Sequence, residues 1–183
     1  MRKFIPNLLI VCGSGRNTGK TALVQSIINN NKEKNKIAAL KVSPHFHNDK
    51  QPKEKIWQDV DCNVYLENGI TKKDSSLFYQ AGANPVYYLE VKDYKLEAAF
   101  NFILSHIGDN RLIVSESGIL GRIFKPGLFI FIESVYNNDQ DSIKISNKNN
   151  ADIIVTVEEG KLDEELLKLN NKIVISENQW KLV

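Results

Sequence analysis

Short continuous apolar runs recur along the chain, each closed by a polar or glycine-containing turn and followed by apolar residues returning every three or four positions. Leu8-Leu9-Ile10-Val11-Cys12 is the first run, and an unbroken apolar run of that length suits a strand buried on both faces. Beyond it Leu23, Val24, Ile27 and Ile28 form one helical stripe that stops in Asn29-Asn30-Asn31. Lys36 to Val42 reads as a second strand, Asp74 to Ala81 as a helix closed near Gly82, and Val86 to Val91 as a third strand. Leu96, Ala99, Phe100, Ile103 and Ile107 give another helical stripe. Leu112-Ile113-Val114, Leu128 to Ile132 and Ile153 to Val157 predict three more strands, and Leu162, Leu166 and Leu167 a short helix before a last strand at Lys172 to Ile175. Strands alternating with helices imply right-handed crossovers and a mostly parallel, twisted sheet between helical layers, an α/β three-layer sandwich. Two polar stretches interrupt the pattern. Residues 43–73, with Pro44, Pro52 and Gly69, predict a long loop or insertion holding at most one short element, and residues 136–150 a second polar loop. A loop as long as the first is usually functional or disordered.

Composition narrows the class. A chain of 183 residues with 42% hydrophobic content predicts one well-buried domain over residues 1–183. A net charge of +2 with 25% charged residues argues against a nucleic-acid binder that works by phosphate neutralisation, and against a disordered polyelectrolyte. No apolar run reaches the ~18–20 residues of a membrane helix. Pro6 and Asn7 interrupt the opening residues, which predicts no leader. Cys12 and Cys62 alone make no disulfide framework. A cytoplasmic protein is expected. Residues 1–100 hold 15 Lys and Arg against 10 Asp and Glu, and residues 101–183 hold 9 against 12, so an anionic ligand is expected in the first half.

The chemistry concentrates in Cys12-Gly13-Ser14-Gly15-Arg16-Asn17-Thr18-Gly19-Lys20-Thr21, between the first strand and the first helix. That is the context of a Walker A phosphate loop, and it predicts a P-loop NTPase version of the sandwich. Glycines let such a backbone curl so that successive N–H groups form an anion nest, to which the helix N-terminus adds unpaired donors. The residues expected to line nucleotide phosphates are Gly13, Ser14, Gly15, Arg16, Asn17, Thr18, Gly19, Lys20, Thr21 and Ala22. Lys20 would reach the β- and γ-phosphates, and the Thr21 hydroxyl would ligate Mg²⁺. The pattern G-x-x-x-x-G-K-T wants its first glycine at position 14, where this chain has serine. A carboxylate ending a neighbouring strand should complete the Mg²⁺ shell, and Glu116 leads, with Glu133 a weaker competitor. Asp49, in the loop after the second strand, is placed to contact Mg²⁺ or position water. Lys20, Glu116 and Asp49 are thus the candidate catalytic residues, and Thr21 and Glu116 the candidate metal ligands.

Three stretches resemble the molybdopterin-guanine dinucleotide biosynthesis protein B family, P-loop proteins of the broad class that includes dethiobiotin synthetase. They are Gly15 to Thr21 with Ala22-Leu23, then Lys41-Val42-Ser43-Pro44-His45-Phe46-His47, and Asp74-Ser75 followed by Gln80-Ala81-Gly82-Ala83; Glu116-Ser117-Gly118 is similar in placement to the family's glutamate-glycine. The resemblance spans residues 8–133. It implies GTP binding with Mg²⁺, slow hydrolysis at most, and an accessory role, often as a homodimer, beside an enzyme of molybdenum-cofactor biosynthesis. Residues 48–73 look like an insertion relative to the family, and Ser117 stands where glycine is usual.

Other signals are weaker. His45 and His47 would form a metal site only with a third ligand such as Cys62; contact with a ligand phosphate or carboxylate is the better reading. His106 and Cys12 read as structural, and Tyr87, Tyr88, Phe129 and Phe131 as sheet core. Asn147-Lys148-Asn149-Asn150 copies half of a guanine-reading element but lacks its carboxylate, so GTP over ATP rests on the resemblance. Two alternatives stay open: an ATP-dependent small-molecule kinase or ligase similar to dethiobiotin synthetase, with an acceptor pocket lined by Lys41, His45 and Asp74, or a non-catalytic nucleotide-binding module.

Overall fold

Alternate residues of the first strand enter two different cores. The computed structural model describes residues 1–47, 53–71, 73–108, 110–135, 141–158 and 160–183. In chain order its elements are β1 (Lys3–Gly13), α1 (Lys20–Asn31), β2 (Ile37–Ser43), β3 (Lys53–Asp59), β4 (Cys62–Glu67), α2 (Asp74–Ala81), β5 (Val86–Val91), α3 (Leu96–Ile107), β6 (Leu112–Glu116), β7 (Phe124–Ser134), α4 (Ser142–Asn150), β8 (Ile153–Val157), α5 (Leu162–Asn170), β9 (Ile173–Ser176) and β10 (Gln179–Leu182). Leu8, Ile10 and Cys12 pack with Leu96, Ala99, Phe100 and Ile103 of α3. Leu9 and Val11 pack on the other face with Leu23, Val24, Ile27 and Ile28 of α1, Phe78 of α2, and Leu166 and Leu169 of α5. The period of two across a strand produces this split, and it makes three layers with the sheet in the middle.

The main sheet runs β3-β4-β5-β2-β6-β1-β7-β8. From β5 to β8 all pairings are parallel, whereas β3 and β4 add an antiparallel edge. The parallel strands therefore end on one edge of the sheet. After β1 the chain crosses to β2 on one side, and later elements place β7 on the other. Ligand crevices in open α/β sheets form at such reversals.

Three expectations need correction. Residues 43–73 are not a loop with one short element, since 53–67 form the β3–β4 hairpin turning at Asp61, whose φ is 58°. The polar stretch 136–150 contains α4, capped where the Asp141 side chain accepts the Ile143 N–H at 2.7 Å. The C-terminus carries a hairpin, because Glu177 (φ 54°) and Asn178 (φ 56°) form a two-residue left-handed turn leading into β10. Trp180 of β10 is fully buried and donates to the Ile113 carbonyl at 3.2 Å. Strands β1 and β7 also begin earlier than their apolar runs, pairing from Lys3↔Phe124 onward with a register shift between Ile5 and Leu9. Among the described residues no helix is long and apolar enough to cross a membrane.

Candidate functional site

The loop after β1 is shaped by two glycines for different reasons. A Cβ on Gly13 would lie 2.4 Å from the Ile132 carbonyl oxygen of β7, so only glycine lets the strands meet there. Ser14, at the position where the motif wants glycine, is buried, and its N–H donates to the same carbonyl at 3.0 Å. The left-handed backbone of the loop falls instead on Asn17 (φ 58°) and Gly19 (φ 91°). Asparagine tolerates that region, which is how the turn forms without a glycine at 14.

Gly19 is the N-cap of α1 and brings no side-chain cap. Among the described residues the first N–H groups of the helix therefore have no side-chain acceptor, and they sit at the positive end of the macrodipole. Among the described residues the N–H groups of Arg16, Asn17 and Gly19 also find no protein acceptor. The Lys20 ammonium folds back over the loop, donating to the Gly15 carbonyl and, at 3.2 Å, to the Thr18 hydroxyl. Burial lowers its pKa from the usual lysine value; Glu116 opposes that shift and Lys41 adds to it. One step back along β1, burial pushes the Cys12 thiol up to about 12, against the weaker pull of Lys20. It is a small buried group, not a nucleophile.

Side chains from four elements converge beside Lys20. The Thr21 hydroxyl donates to Glu116 Oε2 at 2.8 Å. Lys41 Nζ lies 2.5 Å from Glu116 Oε1 and 2.7 Å from Asp74 Oδ2. Lys41 and Glu116 are register partners on β2 and β6, and Glu116 is 4% exposed. The cavity above them measures about 640 Å³ and is lined by Arg16 to Ala22, Gln25, Lys41, Asp74, Leu77, Glu116 and Leu162. Gly13 lines an adjoining space of about 160 Å³ with Lys20, Lys41 and Glu116. Ser14 and Gly15 line neither.

Other candidates fall elsewhere. Asp49 lies outside the described residues. Glu133 is held on the far side of the sheet by Lys148 at 2.7 Å and the Thr156 hydroxyl at 3.4 Å. Asn147 to Asn150 form the last turn of α4, where buried Asn147 donates to the Gly118 carbonyl at 2.8 Å. Ser117, directly after Glu116, caps the next turn by accepting the N–H groups of Ile119 and Leu120. Of the proposed acceptor trio, Lys41 and Asp74 are in place, while His47 and not His45 lines the neighbouring cavity of about 330 Å³. Cys62 is fully buried on β4, and both histidines are exposed. Gln25, Leu77 and Leu162 line the cavity without having been expected there from the sequence. Gln25 was findable, being one turn beyond Thr21 on the same helix face; Leu162 carries no local signal.

No known protein-family model matches the chain, and a comparison with curated proteins finds no match.

Proposed function

We propose that the Lys20 crevice binds a Mg²⁺-complexed nucleoside triphosphate and hydrolyses it slowly. The observation that carries this reading is the hydrogen bond from the Thr21 hydroxyl to Glu116, made next to the Lys20 ammonium at an uncapped helix N-terminus. A hydroxyl and a carboxylate are hard oxygen donors suited to Mg²⁺, so Thr21 and Glu116 are the residues that would hold it. The cation would supply charge neutralisation to the β- and γ-phosphates when bound. Lys20 answers the phosphate charge directly, and the free N–H groups of the loop and first helical turn cradle the remaining oxygens. Lys41 fixes the second oxygen of Glu116 and so orients its first toward Thr21. A cavity of about 640 Å³ lies within the range of small-molecule sites, ~300–1,000 Å³. Asp49 enters as a water-positioning residue on sequence grounds alone. The family resemblance supports GTP as the nucleotide, and an accessory role, as a homodimer, beside an enzyme of molybdenum-cofactor biosynthesis.

Calorimetric titration with Mg²⁺ complexes of non-hydrolysable GTP and ATP analogues tests the reading. Lys20→Ala should weaken binding by roughly 100-fold, the loss of a partly desolvated charge pair. Equal affinity in parent and variant would overturn the assignment.

A second reading, transfer of a phosphoryl or carboxyl group to a small acceptor as in dethiobiotin synthetase, is favoured by one observation. A further cavity opens directly across the Lys41–Asp74 pair.

A further inference from the structure

We propose that Arg16 is a catalytic residue of the Lys20 crevice, its guanidinium stabilising the charge on the transferred phosphoryl group during hydrolysis. The inference rests on the nucleotide reading and goes beyond it. Position 16 is one of the open positions of G-x-x-x-x-G-K-T, so the loop pattern assigns its side chain no task.

Three cations and two carboxylates line the crevice: Arg16, Lys20, Lys41, Asp74 and Glu116. Lys41 is taken up by the protein, since it pairs with both carboxylates. Lys20 lies over the loop, held by the Gly15 carbonyl and the Thr18 hydroxyl. Arg16 is exposed, and among the described residues its guanidinium meets neither an acceptor nor an acid. It is the uncommitted cation of the described lining, and without it the side-chain charges there sum to zero. A triphosphate chain carrying one divalent cation is still anionic, and Arg16 makes the surface it meets net positive.

The loop backbone sets where that charge stands. The carbonyl that holds Lys20 belongs to the peptide joining Gly15 to Arg16, so Arg16 begins beside the ammonium that answers the β- and γ-phosphates. Asn17, the next residue, is left-handed (φ 58°) and turns the chain there. A guanidinium presents five N–H donors in a planar fork that matches phosphate oxygens in pairs, whereas an ammonium is a point charge. Hydrolysis bonds the oxygen of water to the terminal phosphorus and breaks the bond from that phosphorus to the bridging oxygen. The bond pair leaves with the nucleoside diphosphate; one water proton stays on the orthophosphate and the other passes to solvent. Donors aimed at oxygens whose charge grows during this step raise turnover more than affinity. Arginines in sealed phosphoryl-transfer sites contribute ~10³–10⁵ in rate. Arg16 is exposed and screened by solvent, so its effect should be smaller, about 100-fold.

Turnover of Mg²⁺-GTP and Mg²⁺-ATP is measured beside calorimetric affinity for their non-hydrolysable analogues, in the 183-residue chain, Arg16→Ala and Arg16→Lys. Arg16→Ala should lower kcat about 100-fold and analogue affinity by no more than about threefold. Arg16→Lys should keep the affinity yet stay at least about tenfold below the parent in kcat, because it restores charge without the fork. Nucleoside diphosphate with Mg²⁺ and aluminium fluoride, which mimics the transferred group, covers the case of turnover too slow to follow. The parent should bind it, and Arg16→Ala should bind it at least about tenfold more weakly. Equal turnover in parent and Arg16→Ala, a loss confined to affinity, or a mimic held equally by both overturns the inference. An analogue that fails to bind the parent removes the nucleotide reading and this inference together. An analogue bound by both chains, with equal turnover, removes only the inference.

Discussion

The ends of β6 and β7 flank the same strand, β1, and each carries a carboxylate after an apolar run, yet only one belongs to the crevice. Glu116 shares its pleat parity with Leu112 and Val114, which face α1, α2 and α5. Lys41 shares parity with Ile37 and Ala39 on that face, and Thr21 opens α1 above it. Glu133 has the parity of Phe129 and Phe131, which face α3, and it meets Lys148 of α4 there. One residue of phase sends two similar side chains to opposite faces of the sheet. A strand-end acid is therefore a site residue only when the parity of its strand points it at the cations and hydroxyls of its neighbours.

The strongest way to break the comparison is through the backbone. Gly13→Ala should cost about 3 kcal/mol of stability by forcing a Cβ against β7, whereas Gly118→Ala, just past β6 with nothing within 4 Å of its Cβ, should change stability by less than ~0.5 kcal/mol. Urea unfolding of both variants measures the difference, and equal costs would mean that β7 does not close on β1 as described. Next come the acids. Glu116→Ala leaves a hydroxyl and part of the Lys41 charge unanswered and should cost about 2 kcal/mol, together with most of the Mg²⁺ dependence of triphosphate binding. Glu133→Ala removes a partly exposed pair and should cost no more than ~0.5 kcal/mol, with nucleotide affinity intact. Reversed sensitivities in thermal melts and calorimetry would exchange the roles of the two strands.

The smallest effect sharpens the site side alone. Burial lowers the pKa of Lys20 in the free protein, and bound phosphates would raise it again by favouring the ammonium. Binding then takes up a proton at alkaline pH. Affinity should stay level below the lowered pKa and decline above it, by at most about tenfold per pH unit. Titration in buffers of different ionisation enthalpy detects that uptake, and an affinity flat through pH ~10 would remove Lys20 from phosphate contact.

Much of the layered α/β architecture was legible because its signals are local. The apolar runs of β1, β5, β6 and β8, the helical stripes of α1 and α3, and the span of α2 all appear where the spacing predicts them. Strand β3 did not, because an edge strand such as Lys53-Glu54-Lys55-Ile56-Trp57 has little apolar run to show; β4, between β3 and β5, went unread although Cys62 and Val64 alternate toward the core. Helix α4 hid for a related reason: Asn147 is its one buried residue, so it has no apolar stripe. The loop from Gly13 to Thr21 and the candidacy of Glu116 were also readable, though the glycine logic was not. Asn17 and Gly19 carry the left-handed turns, and Gly13 is needed for space against a strand more than a hundred residues away.

The sequence by itself determined that strands and helices alternate, and that a glycine-rich turn presents Lys20 and Thr21 at the start of a helix, because hydrogen-bonding periodicity and chain conformation act over neighbouring residues. Only the tertiary structure decided which acid meets Thr21, that Lys41 bridges Glu116 and Asp74, and that a second cavity lies beyond that bridge. Those choices follow from strand order and pleat parity, which bring together groups 75 and 95 residues apart and leave no mark on the local pattern of either partner.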